Sequence, residues 1–146
     1  MSRYRLTTFR VSLEVQENTT QTLTTSQEAE TILRALYRDL DADQEHFAVL
    51  TLGADNKVTG FKILASGMMS SAQVDMKLLF RALVALGTPS FIVAHNHPSG
   101  EPRPSQADRN ITEKITQAAK LMDYTFLDHI ILAPHGYYSF NDDGKL

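Results

Sequence analysis

The residues around His95 and His97 could bind a metal ion and activate water. His95-Asn-His97 ends a short apolar run typical of a strand. Side chains two apart on a strand point to the same face, so both imidazoles are expected to lie close enough to bind one ion. Pro98 ends strand pairing directly afterwards, which leaves the pair at a rim. Asp108 follows Ser105 by three residues at a predicted helix start. Two imidazoles and one carboxylate, with a fourth position open, match a catalytic zinc site.

Each half of this pattern also has a purely structural interpretation. Two partly exposed histidines at a strand end need no ligand. Ser105-x-x-Asp108 is also an ordinary helix start, with Ser105 as N-cap and Asp108 near the positive end of the helix dipole. The His pair, a Pro/Gly-rich loop and the Ser/Asp pair fall within the short segment 95–108. This conjunction favours the functional interpretation.

The composition limits which chemistry is open to the chain. Its 146 residues include 14 Lys+Arg, 17 Asp+Glu, five His and no Cys, a length typical of one compact domain. The lack of Cys excludes disulfides, thiolate metal sites and a thiol nucleophile, so a metal must be bound by imidazole and carboxylate. The net charge of −3, without a clustered basic surface, argues against DNA binding.

Membrane and export signals are not expected either. The apolar runs are far shorter than the roughly 20 residues that cross a bilayer. The N-terminal segment Met1-Ser-Arg-Tyr-Arg-Leu-Thr has no apolar stretch of the kind found in secretory signals. We therefore expect a cytoplasmic protein without a membrane partner.

Strand patterns occur along the whole chain. Residues 3–16 alternate roughly between polar and apolar types, so residues 1–24 are expected to form an N-terminal strand or arm ahead of a domain over residues 25–146. Turn residues at 53–57 predict a hairpin between a strand beginning near Phe47 and a strand over 58–66. Further strands are predicted over 91–95, 125–133 and 137–140.

Helical patterns alternate with these strands. Thr25-x-x-Glu28 has capping-box spacing and predicts a helix to about Leu40, Gly87 closes a second helix over 74–86, and Ser105 starts a third to about Met122. The mixed order of elements predicts an α/β (α+β) fold with helices packed on a mixed sheet. The helical residues expected to be buried are Ile32, Leu33, Leu36 and Tyr37; Leu78, Leu79, Ala82, Leu83 and Leu86; and Ile111, Ile115, Ala118 and Leu121 or Met122.

The motif residues resemble a known family. His95-x-His97-x7-Ser105-x-x-Asp108 matches the JAMM metalloprotease pattern at every defined position. His95-Asn-His-Pro-Ser-Gly100, Pro104-Ser-x-x-Asp108 and the downstream Leu127-Asp-His-Ile-Ile131 are similar to the RadC-like branch, especially its short single-domain members. The resemblance covers roughly residues 25–146. It implies a JAB/MPN (cytidine-deaminase-like) fold, a curved mixed sheet flanked by helices.

The resemblance also implies roles for residues of the site. It implies Zn²⁺ bound by His95, His97, Asp108 and a water. The glutamate that acts as general base in JAMM enzymes matches Glu45, just before a strand, where it can be held rigidly. Glu101, in the loop beside the histidines, is the rival by local sequence.

Ser105 would donate a hydrogen bond to the oxyanion of the tetrahedral intermediate. It would then serve both as a helix cap and as a catalytic group.

The other histidines have structural interpretations first. His129 lies in an apolar strand and is more often a satisfied core residue than a ligand. The alternative is that Asp128 or His129 hydrogen-bonds a ligand imidazole and fixes its tautomer. His46 and His135 are expected at the surface or in turns.

The function that the resemblance implies is that of a zinc-dependent hydrolase acting on a peptide or isopeptide bond of a protein or peptide substrate. Two alternatives stay open: a non-catalytic MPN-type binding module, and a DNA-repair or DNA-processing factor. Residues 1–24 are too short for the helix-hairpin-helix region of full-length RadC-type proteins, which argues against a nucleic-acid partner. A homodimer in which residues 1–16 pair with a second copy is a further open alternative.

Overall fold

The computed structural model describes residues 21–67 and 74–146. The strand predicted over residues 3–16 lies outside them. The described helices are α1 (Ser26–Tyr37), α2 (Met76–Leu86) and α3 (Gln106–Met122). The described strands are β1 (His46–Leu52), β2 (Val58–Ser66), β3 (Ser90–Asn96), β4 (Thr125–Ala133) and β5 (Gly136–Ser139).

The five strands form one mixed sheet in the order β2-β1-β3-β4-β5. β3 and β4 run parallel, whereas the other neighbouring pairs are antiparallel. The predicted hairpin of β1 and β2 is confirmed, as is the α+β architecture with a mixed sheet. This arrangement agrees with the JAB/MPN-like fold that the resemblance implies.

Apolar side chains cover both faces of the sheet. One face packs against α2 and α3 through a cluster that includes Phe47, Val93 and Ile115. The other face packs against α1 through Leu33, Leu50 and other side chains. Because β1, β3 and much of β4 are buried, they read as nearly continuous apolar runs and not as alternating patterns.

Local signals set the helix ends. Thr25 and Glu28 form the predicted capping box of α1, and Ser105 and Asp108 form a second one at α3. Gly87 ends α2 with a φ of 65°, in the left-handed region where glycine is favoured. None of the helices in the described ranges is long and apolar enough to cross a membrane.

Part of the predicted burial is wrong. α1 ends at Tyr37, not near Leu40, and its buried stripe leaves Leu36 37% exposed at the margin. In α3, Leu121 is 85% and Met122 48% exposed. Asp123 adopts a left-handed conformation that turns the chain, so Tyr124 packs against the core in their place.

Candidate metal centre

His95 and His97 project from the end of β3 toward one point. Their Nε2 atoms are 2.9 Å apart, which confirms that both imidazoles lie on one side. His95 is the last inward side chain on the α3 face of β3, and it stacks on Phe47 of β1. His97 lies one residue beyond the strand, where its N–H donates to the Leu132 carbonyl at 2.7 Å. Sheet pairing therefore fixes the backbone of both histidines.

Asp108 reaches the same point from the first turn of α3. Its Oδ1 lies 3.1 Å from His95 Nε2 and its Oδ2 lies 3.1 Å from His97 Nε2. The capping box holds this side chain, because Oδ2 also accepts the Ser105 N–H at 2.8 Å. The helix start therefore aims the carboxylate at the histidines.

The tautomer of neutral His97 follows from its other ring nitrogen. His97 Nδ1 lies 2.8 Å from the Glu101 carbonyl oxygen. A carbonyl only accepts, so Nδ1 carries the proton and donates. Neutral His97 therefore presents the lone pair of Nε2 to His95 and Asp108.

The electrostatics of the site favour a positive charge. Burial opposes the charged form of Asp108, but hydrogen bonds that the imidazoles can donate to it outweigh this effect and hold its pKa well below the usual range. The hydrogen bond with Asp108 raises the pKa of His97 against the opposing effect of burial, and the Glu101 carbonyl and the charges of Asp108 and Glu45 raise it further. The carboxylate thus stays ionised beside two basic nitrogens.

The donor set fits a divalent metal ion. His95, His97 and Asp108 each offer one ligand atom, and these atoms lie within 4.8 Å of one another. Tetrahedral zinc with ligands at about 2.0 to 2.1 Å has them about 3.3 Å apart, close to the separations of 2.9 to 3.1 Å here. The His95 side chain is 2% exposed, whereas those of His97 and Asp108 are 13% and 14% exposed, so the site opens to solvent on one side.

The two candidate glutamates are placed differently. Glu45 is partly buried and directly precedes β1, where the next residues pair with the end of β3. Its charge contributes to raising the pKa of His97. Glu101 contacts His97 through its backbone carbonyl, and its residue is exposed.

Asn96, between the two histidines, fastens the chain on both sides of Glu45. Its Oδ1 accepts the His46 N–H at 2.7 Å, and its Nδ2 donates to the Gln44 carbonyl at 2.8 Å. Gly67 N–H also donates to the Glu45 carbonyl at 2.9 Å. The segment that carries Glu45 is therefore held against the strand that carries the histidines.

Ser105 lies beside Asp108 at the N-cap of α3. Its Oγ accepts the Asp108 N–H at 3.1 Å. Since the hydroxyl oxygen is the acceptor in this bond, its own O–H can donate to another group. The residue is exposed, so that group can come from solvent or a substrate.

The remaining histidines divide into three environments. His129 is fully buried and its Nε2 lies 2.8 Å from His95 Nδ1, the arrangement that the alternative interpretation describes. His46 is only 6% exposed, so its predicted surface position is wrong: its ring bridges Ser66 Oγ and the Asp41 carbonyl at 2.7 and 2.8 Å. His135 is exposed, as predicted.

Asp128 has a structural role beside this cluster. Its carboxylate accepts hydrogen bonds from Ser139 Oγ at 2.5 Å, Asn141 N–H at 3.0 Å and its neighbour's N–H at 2.8 Å. These contacts secure the chain after β5, and burial raises the pKa of this carboxyl. Of these two residues, His129 contacts the ring of His95, whereas the hydrogen bonds of Asp128 go to Ser139, Asn141 and the His129 N–H.

Two residues that support the site through hydrogen bonds, Asn96 and Thr112, were not predicted from the sequence. Thr112 Oγ1 contacts His129 Nδ1 at 2.6 Å. Its position four residues after Asp108, one helical turn on, was the available signal.

Comparison with known proteins identifies the family. A family model described as "RadC-like JAB domain" matches residues 23–145. A "UPF0758 protein" from Flavobacterium johnsoniae is 41% identical over 122 residues, which cover 84% of this chain and 52% of that relative. A "UPF0758 protein" from Chlorobium chlorochromatii is 36% identical over 73% of this chain and 48% of its own length. The chain spans about half the length of the curated relatives it matches. It belongs to the RadC-like JAB domain family.

Proposed function

We propose that the protein is a zinc-dependent hydrolase of the JAMM class that cleaves a peptide or isopeptide bond in a protein or peptide substrate. One observation carries the proposal: two imidazole nitrogens and a carboxylate converge within about 3 Å at a rim open to solvent. The open side leaves room for a water or a substrate group beside the three residues.

Each residue of the site has a role in this reaction. His95, His97 and Asp108 would hold the metal. Zinc, when bound, supplies a Lewis acid that lowers the pKa of water from about 15.7 to near 7. Glu45 accepts the proton of the attacking water and delivers it to the leaving amine.

Ser105 donates its O–H to the oxyanion that forms as the carbonyl is attacked. A single donor of this kind contributes about 2.7 to 4 kcal/mol to the rate in other hydrolases. Because the helix cap fixes the position of Oγ, this donor needs little reorganisation during the reaction.

The metal is tested first. The purified 146-residue chain is assayed for metal content and for cleavage of a peptide library, with and without a chelator. We expect stoichiometric metal, its loss in His95→Ala and Asp108→Ala, and cleavage that stops with chelator and returns with zinc. Protein without stoichiometric metal, or variants with unchanged metal content, would refute the proposal.

The base is tested with two glutamates of the same site region. Glu45→Gln should retain metal and lose turnover by about 10²-fold or more, as expected for a general base. Glu101→Gln is the matched control and should change neither the metal content nor the turnover. Full turnover in a metal-loaded Glu45→Gln variant would reject Glu45 as base, and function without any turnover would favour the binding module.

A further inference from the structure

A chain of buried hydrogen bonds runs from α3 to the back of the metal centre. Thr112 Oγ1 donates to the Asp108 carbonyl at 2.7 Å and contacts His129 Nδ1 at 2.6 Å. His129 Nε2 contacts His95 Nδ1 at 2.8 Å. The chain begins on the backbone of one proposed ligand and ends on the ring of another.

The protons along this chain can be assigned one by one. The Thr112 hydroxyl has one proton, which goes to the Asp108 carbonyl because that oxygen can only accept. Thr112 Oγ1 must therefore accept from His129, so His129 Nδ1 carries a proton. The ring of His129 is 0% exposed, and its two nitrogens contact a hydroxyl and an imidazole rather than a carboxylate, so the neutral ring carries one proton. Its Nε2 is therefore bare and accepts from His95 Nδ1.

These proton positions determine the tautomer of His95. With its proton on Nδ1, neutral His95 presents the Nε2 lone pair to His97 and Asp108, as metal binding requires. We propose that Thr112 and His129 are positioning residues that hold His95 in its metal-binding tautomer. This inference rests on the proposed metal site, although its first test does not require a metal.

Packing keeps the chain in one arrangement. His95, Thr112 and His129 are 1%, 2% and 0% exposed, so water cannot replace these bonds. Phe140 stacks on His129 with ring centroids 4.8 Å apart and planes 9° apart, and Phe47 meets the same ring edge-on at 5.7 Å. A ring flip of His129 would require these neighbours to move.

The first test reads the tautomer directly. In the metal-free full chain at pH 8, ¹⁵N chemical shifts of the His95 ring, assigned with a His95→Gln variant, distinguish protonated from bare nitrogens. We expect a protonated Nδ1 in the wild type and in Thr112→Ser, which keeps the hydroxyl. Thr112→Val removes it and should allow a second population of His95 with the proton on Nε2.

The second test measures zinc affinity by competition with a chromophoric chelator. Thr112→Val should bind zinc 10- to 100-fold more weakly, as is usual when a partner behind a ligand histidine is lost. Thr116→Val is the matched control, because Thr116 donates to the Thr112 carbonyl at 2.9 Å in the same helix. This control and Thr112→Ser should bind zinc like the wild type.

The outcomes separate this inference from the proposed function. A wild-type His95 whose Nδ1 carries no proton would overturn the inference. So would a folded Thr112→Val variant, verified by circular dichroism, whose His95 tautomer or zinc affinity matches that of the wild type. If the wild type bound no zinc, the proposed function would fail, and the tautomer measurement alone would still decide the inference.

Discussion

Ser105 offers a test that separates structure from catalysis within one side chain. The Ser105→Ala variant loses the cap bond from Oγ to the Asp108 N–H, a contact of 3.1 Å. Loss of an N-cap costs about 1 kcal/mol, which corresponds to about 2 to 4 °C in Tm for a domain of this size. Loss of an oxyanion donor would lower kcat by about 10²- to 10³-fold, or about 2.7 to 4 kcal/mol. The two effects therefore differ enough in size to be separated.

Asp108, a proposed metal ligand, is expected to keep its position in this variant. Asp108 Oδ2 accepts the backbone N–H of residue 105 at 2.8 Å, and alanine keeps that donor. Metal content measured on the purified variant should therefore equal that of the wild type. A fall in kcat at unchanged metal content can then be assigned to the missing hydroxyl.

Thr25 is the matched control for the cap. It forms the same capping box at α1, with its Oγ1 3.2 Å from the Glu28 N–H, and the metal ligands lie on other elements. Thr25→Ala should lower Tm as much as Ser105→Ala and leave kcat unchanged. If Ser105→Ala matched Thr25→Ala in Tm and also kept wild-type kcat, Ser105 would be a helix cap alone.

Three further perturbations test other parts of the reasoning. Asn96→Ala removes two hydrogen bonds at about 1 kcal/mol each and should lower the free energy of urea unfolding by about 2 kcal/mol. The variant should retain zinc and lose turnover, because these bonds hold the segment that carries Glu45. An unchanged free energy of unfolding would contradict this role of Asn96. The hydrogen bond with Asp108 raises the pKa of His97 in the folded protein. In metal-free protein, the contribution of His97 to the free energy of unfolding is therefore fully present below its unfolded pKa of about 6.5 and is lost as the pH rises through its folded pKa. The unfolding free energy of the wild type relative to His97→Gln should therefore fall with rising pH, and a flat difference would refute this. Ile115→Ala should cost about 2 to 5 kcal/mol and Leu121→Ala less than about 0.5 kcal/mol, and equal losses would contradict the observed face of α3.

Local rules predicted the parts of the site that depend on neighbouring residues. Alternation along a strand was enough to place His95 and His97 on one side, and capping preferences were enough to place Ser105 and Asp108 at a helix start. The convergence of Asp108 on the histidines depends on how α3 packs against the sheet. It was expected from the resemblance and the short spacing, not from any local rule.

Contacts between distant strands escaped prediction. His129 meets His95 because β4 pairs in parallel with β3, with Val93 opposite His129, and a sequence does not display this register. The burial of His46 was missed for a similar reason, since its partner Ser66 lies on the neighbouring strand β2. Strand-end polar residues look alike in sequence whether or not another strand covers them.

The loop between His97 and Asp108 has a consequence for the kinetics of metal binding at the proposed site. Residues 98–104 include Pro98, Pro102 and Pro104, each with a fixed φ, so this loop has few conformations to lose when a common ligand ties its ends together. Little ordering entropy then opposes binding, and little rearrangement of the chain precedes it. Zinc uptake should therefore be limited by removal of water from the ion, and the far-ultraviolet circular dichroism should barely change as the metal enters.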